Sequence, residues 1–193
     1  TGEVGDEKKI IPIDVYCGVD PASSLSARAD FFVVATIGVD SDNNKYIIDL
    51  YRNRISPAEQ PQILIDKYKK YRPRRMKVET VGYQEALRVA VRDLMREENL
   101  YIPGLESGVK PRNSKSERLL SLVPMFARKL FHFRPEDIEA QQEFLSYPKG
   151  KHDDVMDAVW TALDGHKPCR IQEYDPDIKN ESFVKKAFDW MTM

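Results

Sequence analysis

From residue 11 the chain runs Ile11-Pro12-Ile13-Asp14-Val15-Tyr16-Cys17-Gly18-Val19-Asp20, and this β-branched and aromatic density, stopped by Asp20-Pro21, predicts a strand over 11–20. A second strand follows over 31–39. The turn residues Ser41-Asp42-Asn43-Asn44 then lead into an alternating stretch over 45–55, so the third strand folds back on the second as a hairpin. Beyond it the period changes. Ser56 as cap and Pro57 at the first helical position open a helix carrying Ile63, Leu64, Tyr68 and Tyr71, which ends at Arg72-Pro73. Residues 76–80 read as a short strand ending in Glu79-Thr80, and 83–98 as a helix with Ala86, Leu87, Ala90, Val91 and Leu94 on one face. A further short strand is expected over 100–105. The capping box Ser114-Lys115-Ser116-Glu117 opens a helix through Leu119, Leu120, Leu122, Val123 and Phe126. A brief extended piece over 129–133 and a weaker helix over 135–145 come next. The last helix is expected to be capped by the carboxylate of Asp153 or Asp154 and carries Val155, Ala158, Val159, Ala162 and Leu163.

Three antiparallel strands followed by strand–helix alternation predict an α/β fold: a mixed sheet, antiparallel in its first three strands and then parallel, flanked by helices. Residues 1–10, polar and charged, read as a linker or trimmed end, 11–166 as one domain, and 167–193 as a C-terminal tail. Within that tail, 183–190 is a short amphipathic stretch suited to a protein partner.

The 193 residues are 41% hydrophobic, enough for an ordinary core, and nearly neutral at net −1 despite 32% charged residues. A polyanion site therefore has to come from local segregation of basic residues. Cys17 and Cys169 match no zinc spacing, and Cys17 lies in an apolar strand pattern that suits a buried, reduced thiol. No apolar run approaches the roughly 18–20 residues of a bilayer span, and the first ten residues lack a signal-peptide core, so an unexported protein is expected.

Acids stand out at particular places. Asp20 and Glu79 end strands, and side chains at the C-terminal ends of adjacent strands share one crevice. Lys151-His152-Asp153-Asp154-Val155-Met156-Asp157-Ala158 sets three carboxylates at the start of the last helix, where a cap needs one. Singly, each acid has an ordinary use, as a turn former, a surface acid or a complement to the helix dipole. Together they place unneutralised charge from three segments at one crevice, which divalent metal relieves. Two Mg²⁺ ions bridged by Asp20 would suit in-line displacement at phosphorus.

At these residues the chain resembles the nuclease domain of the large terminase subunit of tailed phages, within the RNase H and RuvC-like superfamily. The resemblance spans about residues 16–163 and rests on Gly18-Val19-Asp20-Pro21-Ala22, Val78-Glu79-Thr80, the Lys-bearing loop over 111–118, and above all His152-Asp153-Asp154-Val155-Met156-Asp157-Ala158. It implies an RNase H-like fold and cleavage of double-stranded DNA during viral genome packaging, with two Mg²⁺ or Mn²⁺ ions. By the same resemblance Asp20 bridges, Glu79 and Asp154 hold one metal each, and Asp153 and Asp157 support them. Helical spacing leaves both Asp154 with Asp157 and Asp153 with Asp157 open as pairs. The resemblance further implies as partners a portal protein, a small terminase subunit and an ATPase domain of the same full-length chain, and places the protein in the host cytoplasm, away from membrane. No Gly-x-x-x-x-Gly-Lys-Ser/Thr phosphate loop occurs in these residues, as an excised domain or a stand-alone nuclease would have it.

For DNA, Lys110, Arg112, Lys115 and Arg118, in a basic loop before a capped helix, are the candidate contacts; the run over 67–77 is a second basic group. Contacts of this type are sequence-neutral and salt-dependent. His152 is open both as a phosphate donor or metal ligand and as a residue that orients the loop, the second being favoured, and His132 reads as structural. The rival readings are a Holliday-junction resolvase or ribonuclease H of the same fold, and a non-catalytic packaging or docking module.

Overall fold

The computed structural model describes residues 10–22, 31–79, 84–105 and 114–170. β1 (Asp14–Asp20) pairs antiparallel with β2 (Phe32–Val39), and β2 pairs antiparallel with β3 (Lys45–Asn53). The hairpin turns on Asp40, whose carboxylate accepts from Asn44 N at 2.7 Å and from Tyr46 Oη at 3.0 Å, while Asn43 takes φ 65. β4 (Arg75–Val78) adds parallel to β1, and β5 (Phe131–His132) adds parallel to β3. The sheet order is β4-β1-β2-β3-β5, the mixed arrangement expected.

Helices cover both faces. α1 (Gln60–Tyr71) and α2 (Gln84–Glu97) lie on one, where Leu64, Ile65, Leu87, Val91 and Met95 meet Cys17, Val19, Phe32 and Val34. Cys17 is a free, buried thiol that burial pushes up to about 12, unreactive as expected of a packed strand residue. The opposite face takes α3 (Lys115–Leu120), α4 (Val123–Ala127), α5 (Ile138–Ser146) and α6 (Asp154–Leu163), packed over Tyr16, Val33, Ala35 and Ile37. With cover on both sides, β2 is buried along its whole length.

Three expectations are corrected. α1 begins at Gln60, because the Ser56 N–H and hydroxyl both donate to Glu59 Oε2, at 2.8 and 2.7 Å, in a turn ahead of the helix. Residues 100–105 form no strand; Pro103 O accepts one bond, from Met76 N at 2.8 Å, and the ladder goes no further. The helix from Ser114 is two short helices, since Pro124 has no N–H and fits only in a new first turn.

α6 is the element that the site depends on. Every residue in it except Trp160 is buried, as in a helix enclosed by its own protein. It lies close on β1 because Gly18 has no side chain: a Cβ there would stand 2.0 Å from Ala158 O and 2.2 Å from Ala162 N. Its C-terminal end is held by β4, with Arg75 Nη2 and Lys77 Nζ donating to Asp164 O at 2.7 and 2.9 Å. Among the described residues no helix is long and apolar enough to cross a membrane.

Candidate active site

The direction of α6 brings the acids together. Tyr16 Oη donates to Lys167 O at 2.9 Å, just past the helix, and Gly18 lies under Ala158 and Ala162, so α6 runs antiparallel to β1 with its first turn over the strand's C-terminal end. Asp20 ends that strand. Parallel pairing of Val19 with Val78 sets Glu79 beside it, and Glu79 N donates to Val19 O at 3.3 Å.

The electrostatics follow from this convergence. Burial, followed by the charges of Asp157, Asp154 and Glu79, holds the Asp20 carboxyl well above the usual carboxylate range, and Lys115 offsets this only in part. Burial likewise raises Glu79, against the nearby Arg118 guanidinium, and raises Asp157, against Lys115.

Two cations stand among the acids. Lys115 Nζ lies 2.7 Å from Asp153 Oδ1 and 2.6 Å from Asp157 Oδ2. Burial works against its charge, but these two carboxylates hold it above the ordinary lysine value. Arg118, only 7% exposed, sets Nη1 3.0 Å from Glu79 Oε1 and 3.8 Å from Asp157 Oδ1, with its guanidinium 4.9 Å from the Trp160 ring centroid. Among the described residues, Arg118 Nε and Asp157 Oδ1 are buried polar atoms without a hydrogen-bond partner.

None of the clustered aspartates caps α6. Asp153 occupies the cap position with φ −143 and ψ 14, and its side chain makes no capping bond. The first-turn donors go instead to Glu143 of α5, whose Oε1 accepts from Val155 N at 2.7 Å and Met156 N at 3.1 Å. Asp154 Oδ2 accepts from Phe31 N at 3.4 Å and lies 3.6 Å from His152 Nδ1, and the His152 ring packs edge-on against Phe31. His152 thus fastens the loop ahead of α6 to the start of β2.

A pocket of carboxylates from β1, β4 and α6 is chemically an oxygen-donor site for a hard divalent ion, and the orphaned Asp157 Oδ1 and the like-charged surroundings of Asp20 are what such an ion would relieve. Among the described residues no three acids already surround one point as a finished coordination cage would. Lys115 and Arg118 supply the counter-charge as the chain stands.

The family model of the terminase RNase H-like domain matches residues 17–164, a span that runs from the middle of β1 to the residue closing α6. The chain belongs to this family. In this terminase RNase H-like domain the fold is also that of a solved relative: the large terminase nuclease from thermophilic phage G20c, determined with bound magnesium, superposes with a TM-score of 0.58 at 18% identity over 80% of this chain and 82% of that one. The same nuclease determined with bound zinc gives a TM-score of 0.58 at 19% identity over the same shares. No curated protein sequence matches.

Of the residues singled out in the sequence, Asp20, Glu79, Asp153, Asp154 and Asp157 are brought into this one cluster. Lys110 and Arg112 lie outside the described residues, as does the stretch over 183–190. Lys115 and Arg118, read as DNA contacts, sit among the acids. The capping box at Ser114 is present, and the Glu117 carboxylate in it accepts from Ser114 N at 2.9 Å. In the other basic run, Lys67 pairs with Asp49, Lys69 with Glu98, Arg74 with Asp14 and Lys77 with Asp164. Glu143 was not singled out at all. Its only sequence signal is an acid on a helix that also carries Ala140 and Phe144, and periodicity assigns it no partner.

Burial, opposed by the bond from Met156 N and reinforced by Asp154, pushes the Glu143 carboxyl up to about 7. The unfolded chain releases this proton near the ordinary value of 4.5, before the folded chain does, so rising pH between 4.5 and about 7 favours unfolding. Thermal melts of the metal-free protein should therefore show stability falling across that window. Glu143→Gln should flatten the fall by on the order of 3 kcal/mol. An identical pH slope in the two proteins would show that the carboxyl titrates normally.

Proposed function

We propose that this terminase RNase H-like domain is a divalent-metal-dependent endonuclease that cuts double-stranded DNA during viral genome packaging, in the host cytoplasm, with the nuclease unit spanning 11–166. The observation that carries the reading is the convergence of Asp20, Glu79, Asp154 and Asp157 from three elements, close enough that the other three add to burial in raising the Asp20 carboxyl. The metal-bound state of the similar phage nuclease supports it.

Asp20, Glu79 and Asp154 would hold two Mg²⁺ or Mn²⁺ ions, with Asp153 and Asp157 in support. Bound there, such ions supply positive charge that activates water and stabilises the departing oxygen of an in-line displacement, leaving 5′-phosphate and 3′-hydroxyl ends. Lys115, which pairs with Asp153 and Asp157, would supply a cation beside the DNA backbone. Arg118 stays, because it is buried under Trp160 and Glu79 would otherwise lose its counter-charge. Lys110 and Arg112 add sequence-neutral phosphate contacts, and an ATPase domain, portal protein and small terminase subunit supply the packaging context.

The test is cleavage of linear duplex, four-way junction and RNA/DNA hybrid with Mg²⁺, with Mn²⁺ and with chelator. Metal-dependent cutting of linear duplex is expected, with binding that weakens steeply as salt rises. Preference for the junction or the hybrid would favour the resolvase or ribonuclease H reading. No cutting and no Mn²⁺ binding by calorimetry would favour a docking module.

A further inference from the structure

The first turn of a helix leaves backbone N–H groups that a side chain at the cap position normally accepts, bonding to the second or third helical residue. In α6 those residues are Val155 and Met156, and the acceptor for both is Glu143 Oε1, brought in from α5. Capping aspartates adopt an extended ψ, whereas Asp153 has ψ 14 and bonds Lys115 instead. Glu143 is 7% exposed and lies twelve residues before the first of its donors, so this is a built contact between two helices.

From this arrangement we infer that Glu143 is a positioning residue for the acidic cluster: it takes over the capping of α6, keeps the Asp153 carboxylate out of the cap, and fixes the turn that carries Asp154 and Asp157 against Asp20. The inference rests on the proposed nuclease function. A carboxylate at the cap position would be spent on the helix's own N–H groups. With Glu143 there in its place, the acids at the start of α6 keep their oxygens for cations. The requirement is for an acceptor oxygen at that point, which the amide oxygen of Gln supplies as well as a carboxyl does.

The experiment compares the wild-type chain with Glu143→Ala and Glu143→Gln. As a control for lost stability alone it includes Ile65→Val, a core change on the opposite face of the sheet. Three quantities are read: the turnover number and KM for duplex cleavage at saturating Mn²⁺, the half-saturating Mn²⁺ concentration, and amide exchange at Val155 and Met156. In Glu143→Ala the turnover number should fall at least tenfold, half-saturation should rise about fivefold, KM for DNA should stay within twofold, and both amides should exchange faster. Glu143→Gln should recover most of each, and Ile65→Val should change none of them at a temperature where it is fully folded. Wild-type turnover and half-saturation in a folded Glu143→Ala protein would overturn the inference, as would failure of Gln to restore them. A wild-type chain that binds Mn²⁺ without cutting DNA would remove the nuclease reading while the metal and exchange comparisons still decide the role of Glu143. A wild-type chain that neither binds nor cuts would overturn both.

Discussion

Asp20→Asn should abolish metal-dependent cleavage, by at least about a thousandfold or roughly 4 kcal/mol of barrier, and yet melt at a higher temperature than the wild type when metal is absent. Both effects have one cause. Asp20 sits where burial and the charges of Asp157, Asp154 and Glu79 disfavour its ionised form. An amide of the same shape removes that repulsion and with it the oxygen charge that would hold the metal. A site assembled for a ligand is unstable without it, so loss of function and gain of stability in one substitution are the expected signature. Salt-dependent DNA binding should be nearly unchanged. An Asp20→Asn protein that still cuts DNA with Mg²⁺ or Mn²⁺ would end the assignment, and one that melts lower than the wild type would refute the electrostatic account.

Gly18→Ala is expected to be strongly damaging. The new Cβ would meet Ala158 O at 2.0 Å, Ala162 N at 2.2 Å and Ala162 Cα at 2.8 Å, all backbone atoms that cannot rotate away. The helix must lift off the strand, at a cost of about 3 kcal/mol or more. Lifting it also separates Asp154 and Asp157 from Asp20, so cleavage should fall further than the loss of folded protein explains. Gly38→Ala is the control. There the Cβ would meet Ile13 Cδ1 at 2.7 Å and Ile48 Cδ1 at 3.0 Å, ends of flexible side chains, and a smaller loss is expected. Equal melting temperatures for the two variants would show that the approach of α6 to β1 is looser than described.

Much of this molecule can be read along the chain because its signals are local. β-branched runs with turn residues between them define β1, β2 and β3, and the acids of the site lie at strand ends and a helix start, where their positions are visible without a structure. What was hidden depends on contacts across the fold. Arg118 belongs to a basic stretch that suggested a surface, but its neighbours in space are Glu79, Asp157 and Trp160. Glu143 and Val155 share no pattern, being joined only by the packing of α5 on α6. The Gly18 contact with Ala158 and Ala162 requires knowing that α6 crosses β1. Ser56 departs from its sequence pattern for a smaller reason: it has the composition of a cap, but the Glu59 carboxylate accepts from both its N–H and its hydroxyl.

The fastening of α6 has a consequence for ion choice. Val155 and Met156 are tied to α5 at one end, and Asp164 is tied to Arg75 and Lys77 at the other. Sliding the helix by a single residue, about 1.5 Å along its axis, would break both ties at once. The gap between its first turn and Asp20 is therefore a fixed gauge, set by side chains that bond the α6 backbone at both ends. Mg²⁺ and Ca²⁺ differ by only about 0.3–0.5 Å in their bond lengths to oxygen, a difference that a sliding helix would absorb and a fixed one registers. Under the proposed function, discrimination between ions by size resides in the two ends of α6 and in the glycine beneath it as much as in the carboxylates that touch the metal.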